Sequence, residues 1–175
     1  KILAALGANV VLMPGGDIYT ALERGTIDAT EWVGPYLDER LGLHRAAKFY
    51  YYPGWQEPGA NLELIVHKAT WEELPPEEQA RIRAAATQIG RKTVLEGMRL
   101  NGPALDRLVR EHGVQLKRLP DAVLEALRRE TTVALDALAK EDALAAEVLA
   151  SYRSFHEATA SWTAVSDLAY ARALS

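Results

Sequence analysis

Asn9-Val10-Val11-Leu12-Met13-Pro14-Gly15-Gly16-Asp17, followed by Ile18-Tyr19-Thr20-Ala21-Leu22-Glu23-Arg24-Gly25, sets a strand-like run directly before a helix-like one. The β-branched and apolar run over 9–13, broken by Pro-Gly-Gly, predicts a short buried strand. Asp17 then opens a helix as its N-cap, carrying Ile18, Tyr19, Ala21 and Leu22 and stopping at Gly25. A strand and a helix this close together, punctuated by glycine, predict α/β structure. Residues 1–6 read as the end of an earlier helix closed by Gly7. Residues 26–30 read as another short strand or an extended link.

Further along, Pro35 precedes a short helix over 36–41. Phe49-Tyr50-Tyr51-Tyr52 predicts a strand that ends in the turn Pro53-Gly54. A second strand is expected over 61–67. Thr70 and Glu73 have capping-box spacing, and Pro75-Pro76-Glu77-Glu78 suits the first turn of a long helix. That helix is expected to reach 97–101, with another over 103–111 ended by His112-Gly113. A strand over 114–119 follows. Pro120-Asp121 opens a helical tail, which Asp142 interrupts. Leu124, Leu127, Thr131, Ala134, Leu135 and Leu138 form an apolar stripe on it, suited to its own lobe or to a second subunit.

At 175 residues and 49% hydrophobic, the chain can build a sizeable core and is not a disordered one. A net charge of −4 gives no basic face for nucleic acid. With no cysteine, disulfides, thiolate zinc sites and a cysteine nucleophile are excluded. No apolar run approaches the roughly 20 residues of a membrane-spanning helix. Eight of the 13 aromatic residues lie in the first 60 positions, whereas 15 of the last 55 residues are alanine, so the front reads as a site or a mixed sheet-and-helix core and the tail as helix. Opening on Lys1-Ile2-Leu3, already helical in character, the chain is expected to be a segment of a longer one.

No nucleophile elbow, phosphate loop, dinucleotide fingerprint or zinc helix is present. The turn over 13–17 is either an anion seat at a helix start or an ordinary strand-to-helix turn. His44, His67, His112 and His156 are scattered, without metal-ligand spacing. Strand alternation points Tyr50 and Tyr52 one way and Tyr51 the other, toward a ligand or into a core. Thr30-Glu31-Trp32-Val33-Gly34 is the candidate site, because a carboxylate and backbone carbonyls suit a hard cation and an indole can wall a cleft. A surface loop with a packed tryptophan is the plainer alternative. The residues by themselves also leave open an acid–base enzyme using Glu31, Asp28 or Glu57, and a helical scaffold or interaction module resting on the tail.

Leu6-Gly7-Ala8-Asn9 and Tyr19-Thr20-Ala21-Leu22-Glu23-Arg24-Gly25-Thr26-Ile27-Asp28 resemble the signature of the solute-binding proteins of TRAP transporters, the DctP-like family. Lys140-Glu141-Asp142-Ala143-Leu144 and Val148-Leu149-Ala150-Ser151-Tyr152-Arg153-Ser154-Phe155 are similar to that family's C-terminal helix. Glu31-Trp32-Val33-Gly34-Pro35 and Tyr50-Tyr51-Tyr52-Pro53-Gly54-Trp55 resemble the branch that binds 2-oxo acids and lactate with a metal cation. The resemblance spans nearly the whole chain.

It implies a non-enzymatic periplasmic receptor for a small 2-oxo or 2-hydroxy monocarboxylate, delivered to the membrane subunits of the transporter. The implied fold class is α/β, the C-terminal half of a bilobed periplasmic-binding-protein fold with short strands, flanking helices and long C-terminal helices. Residues 1–58 would form part of the second lobe and 59–119 would return toward the first. Residues 120–175 would brace the lobes or a homodimer. The implied cation ligands are Glu31, the Trp32 carbonyl and Glu57, and the implied pocket walls are Trp32, Tyr52 and Trp55. The bridging ion is calcium or sodium, with two carboxylates favouring calcium. The arginine that grips the ligand carboxylate in this family, and one further polar cation ligand, are expected in the N-terminal half of the same protein. Arg24 sits within the signature helix and does not replace that arginine.

Overall fold

The structure is a computed structural model describing residues 1–56 and 62–174; Glu57 and Asn61 of the expectations above lie outside these. One of the two units into which the chain divides is Val11–Leu119. In it the strands β1 (Phe49–Tyr52) and β2 (Gln115–Arg118) pair in parallel, Phe49 opposite Gln115 and Tyr52 opposite Arg118. The ladder extends at both ends, through Gln115 N–H to the Lys48 carbonyl (2.8 Å) and Leu119 N–H to the Tyr52 carbonyl (2.7 Å). Parallel neighbours need a long crossover, and this one carries α5 (Lys68–Glu73) and α6 (Pro76–Arg110).

Before β1 come α2 (Gly15–Glu23), α3 (Pro35–Leu41) and α4 (Leu43–Ala46). Ile18 and Leu22 of α2 are buried against Leu43, with Met13, Ile27, Leu41, Ala46 and Ala47 packed around them. Gly42, at φ 78°, makes the sharp α3–α4 turn in a left-handed conformation that a side chain would strain. Helix α3 also packs on α6, where Ala104 and Leu108 are buried.

The second unit comprises Lys1–Val10 and Pro120–Ser175. Here α1 (Ile2–Ala5) packs on α7 (Asp121–Glu141), α8 (Ala143–Val165) packs on α7, and α9 (Asp167–Leu174) packs on α8. The break at Asp142 is as the sequence predicts. Its carboxylate accepts the amide hydrogens of Leu144 (2.7 Å) and Ala145 (3.0 Å), satisfying two orphan donors of α8. On the predicted stripe Leu127 is buried, whereas Leu135 and Leu138 are exposed. Among the described residues no helix is long and apolar enough to cross a membrane.

Several expectations are corrected. Residues 9–13 form no strand, and Val10, Val11 and Leu12 are exposed. Residues 62–67 likewise remain unpaired, with Leu62, Leu64 and Ile65 exposed. Both runs have strand-forming composition, but a strand exists only where a neighbour accepts its ladder, and among the described residues the pairing is β1 with β2. Helix α2 starts at Gly15 with Pro14 as N-cap, so Asp17 lies in its first turn instead of capping it. The Thr70–Glu73 capping box is absent: α5 starts at Lys68 with His67 as N-cap, leaving Thr70 inside the helix. The helices expected over 76–101 and 103–111 are one. Pro103 removes a single backbone donor, and burial of Ala104 and Leu108 immediately beyond it holds α6 continuous.

Candidate functional site

Just past the Arg24 C-cap of α2, Gly25 (φ 67°) turns the chain, and the Thr26 and Ile27 amides fold back onto the Ala21 carbonyl at 2.8 and 3.3 Å. The chain then runs irregularly to Gly34, and Glu31 and Trp32 sit on this loop, both on the surface. The Thr30 hydroxyl donates to the Glu31 carbonyl oxygen at 3.1 Å. The Trp32 indole lies over the start of α2: a β-carbon at Gly15 would come within 2.6 Å of Cη2 and 3.0 Å of Cζ3. The Pro-Gly-Gly turn therefore seats the indole, because only a residue without a side chain permits that approach.

The far end of the loop is fixed by Asp38, a buried carboxylate in the first turn of α3 (5% exposed). Its Oδ1 accepts the amide hydrogens of Val33 (3.2 Å) and Gly34 (3.0 Å), and its Oδ2 accepts the Tyr50 hydroxyl proton (2.5 Å). A buried carboxylate is expensive unless its lone pairs are filled, and three donors fill them here. Burial, then the bond to Asp38, raises the Tyr50 phenol far above its usual range, so it stays a donor. Asn101 of α6 supplies a second anchor, its Oδ1 accepting the otherwise orphaned Tyr36 amide of α3 at 3.1 Å.

Tyr50 thus ties the loop to β1, the strand that carries Tyr52. Tyr52 is exposed at the end of β1, before a cis Tyr52–Pro53 bond, and Trp55 is half-buried just beyond. Glu31 and Trp32 stand side by side, and Glu57 is outside the described residues. Oxygen donors of the carboxylate and carbonyl kind are what calcium or sodium takes, so Glu31 and the Trp32 carbonyl fit such an ion chemically. No group of three or more His, Asp or Glu side chains suited to a metal occurs among the described residues. Further oxygens would have to come from Glu57, the ligand or chain beyond these residues.

Reading the sequence alone misses Asp38 and Asn101. The acid after Gly-Pro had a local signal, since a carboxylate in a helix's first turn reaches back to free amides. Asn101 had none, because its partner is 65 positions away. The histidines are also less scattered than their numbering implies. The His44 and His112 rings stack at 4.1 Å between centroids, beside Glu39 and its forked ion pair with Arg107 (2.9 and 2.5 Å). That hydrogen-bonded guanidinium holds the Glu39 carboxyl below its usual range. Burial, then His112, lowers His44, whose Nδ1 is buried without a hydrogen-bond partner among the described residues.

A model of the DctP family, described as bacterial extracellular solute-binding protein, family 7, matches residues 1–142. A monocarboxylate 2-oxoacid-binding periplasmic protein of Nostoc sp. is 39% identical over 170 residues, 97% of this chain and 46% of the relative. A TRAP periplasmic solute-binding protein from Colwellia psychrerythraea, solved with bound calcium and pyruvate, matches with a TM-score of 0.92 and 37% identity, over 98% of this chain and 52% of that one. Another from Pseudoalteromonas atlantica, solved with bound sodium and pyruvate, matches with a TM-score of 0.91 and 36% identity, over 98% and 52%. The chain spans about half the length of these relatives. Its helices and two-stranded parallel sheet are those of a segment of a TRAP periplasmic binding protein, and the chain belongs to family 7 of the bacterial extracellular solute-binding proteins.

Proposed function

We propose that this chain supplies the cation loop and part of the pocket wall of an extracytoplasmic receptor for a TRAP transporter. The cargo is a small 2-oxo or 2-hydroxy monocarboxylate, pyruvate- or lactate-like, held through a bridging calcium or sodium ion. The carrying observation is the Glu31–Trp32 loop, seated on Gly15 at one end and held by Asp38 at the other, in a chain that matches receptors solved with pyruvate and either ion. Glu31, the Trp32 carbonyl and Glu57 would hold the ion, which supplies positive charge to the ligand carboxylate. Two protein carboxylates favour calcium over sodium. Trp32, Tyr52 and Trp55 would bound the ligand's apolar side. Function is capture and release to membrane subunits, with no bond broken.

Two surfaces support a larger assembly. The extended segments carrying exposed Val10, Val11 and Leu12, and Leu62, Leu64 and Ile65, suit strands completed by an N-terminal half. On α8, Leu144, Val148, Tyr152, Phe155 and Trp162 recur at helical spacing and are all exposed. An apolar face of that length suits that half or a second copy of the receptor.

Calorimetric titration of a receptor as long as the relatives, with pyruvate and with lactate, tests the proposal. Binding heat should vanish on chelation and return with calcium, or vanish on removal of sodium. Binding that survives both treatments overturns the bridging ion.

A further inference from the structure

Asp38 is the buried charged side chain of the described residues, and it spends both carboxylate oxygens on one task. Oδ1 takes two successive amides, those of Val33 and Gly34, and Oδ2 is held from β1 by Tyr50. The Trp32–Val33 peptide is trans, and in a trans peptide the N–H and C=O directions oppose each other. Drawing the Val33 amide onto Asp38 therefore turns the Trp32 carbonyl oxygen away from α3. The Gly34 amide bond does the same for the Val33 carbonyl. A helix-start brace needs only the Gly34 amide, since Gly34 is the N-cap of α3. The bond to Val33 and the hold from a strand 12 positions away go beyond that need.

We infer that Asp38, backed by Tyr50, is the positioning residue that aims the Trp32 carbonyl oxygen at the bridging cation. This rests on the cation-bridged reading above. The carboxylate stays off the ion. It fixes the peptide plane whose oxygen the ion needs, so the carbonyl meets the cation without first giving up alternative orientations.

The test is the calcium concentration needed for half-maximal pyruvate binding in the full-length receptor, with sodium titrated in a separate series, alongside the ligand-free unfolding midpoint. Asp38→Ala should raise the required ion concentration about 10- to 100-fold, as loss of an outer support does at metal sites. Asp38→Asn should restore most of it, since its carbonyl oxygen still accepts both amides and its NH2 can donate to the Tyr50 oxygen. Tyr50→Phe should raise it about threefold, the scale of one hydrogen bond, and decides the matter if Asp38→Ala does not fold. Arg107→Ala removes the ion pair to Glu39 of α3 without touching the Glu31–Gly34 loop. It should lower the midpoint and leave the ion requirement unchanged. If Asp38→Ala or Tyr50→Phe moves the ion requirement no more than Arg107→Ala does, the positioning role is overturned while the cation bridge stands. If wild-type binding ignores both ions, the cation reading itself fails.

Discussion

The loop from Glu31 to Asp38 and the helix α8 solve opposite problems. The loop carries little apolar contact of its own and is held by directed polar bonds: three donors on Asp38, one acceptor from Asn101, and an indole laid over a glycine. Helix α8 is regular and well capped, yet Phe155, Trp162 and Val165 are each about 70% exposed. Hydrogen bonds are directional and short-ranged, so a few residues within one unit can fix a loop completely. Hydrophobic stabilisation is non-directional and needs area, so an apolar helix face is finished only by whatever covers it. The Glu31–Asp38 loop is thus held by residues within 11–119, whereas the apolar face of α8 stays uncovered among the described residues.

Three substitutions press on that contrast in a receptor as long as the relatives. On the proposed reading Glu31→Gln removes the charge offered to the ion and should weaken pyruvate binding most, by about 3 kcal/mol or roughly 100-fold, in calorimetry. Gly15→Ala puts a methyl where the Trp32 ring lies and should cost about 1–3 kcal/mol, shared between affinity and the unfolding midpoint. A normal affinity and midpoint would show that the indole is not seated there. Phe155→Glu should cost about 1–2 kcal/mol of stability if a partner covers α8, read by denaturant unfolding and by sedimentation. A change under about 0.5 kcal/mol would mark that face as solvent-exposed in the assembly.

The smallest effect is a pH dependence. His44 in the fold binds its proton less readily than in the unfolded chain, so its contribution to stability is complete above the usual histidine range. It is lost as pH falls through that range toward the lower folded value. The groups around it are His112, Arg45, Glu39 and Lys48, with Arg107 on Glu39. Glu39 is depressed by Arg107 and adds its own loss only at lower pH, through the carboxylate range. His44→Phe should flatten the upper part of that slope in thermal unfolding between about pH 7 and 5. An unchanged slope would remove His44 as its source.

Local signals were legible wherever the structure is made locally. The aromatic β1, the Pro75-Pro76 start of α6, the Asp142 break and the Gly113 stop all stand as their residues predict. The runs at 9–13 and 62–67 misled because strand composition describes a segment that fits a sheet, and the sheet has to exist beside it. Pro103 misled because tertiary burial outweighs one lost backbone bond. In the candidate site, Glu31 and Trp32 stand out by chemical type. Their supports do not: Tyr50 reads as one of three tyrosines, and Asn101 beside Gly-Pro reads as a helix end. Both act through partners distant in sequence.

The most direct test is equilibrium dialysis of the full-length receptor against radiolabelled calcium and, separately, radiolabelled sodium, with and without pyruvate. Linkage requires that an ion which strengthens pyruvate binding be itself retained more strongly when pyruvate is present. The account predicts pyruvate-dependent retention of one ion by the wild type and its loss in Glu31→Gln. Equal retention by both proteins, with pyruvate bound to each, would contradict it.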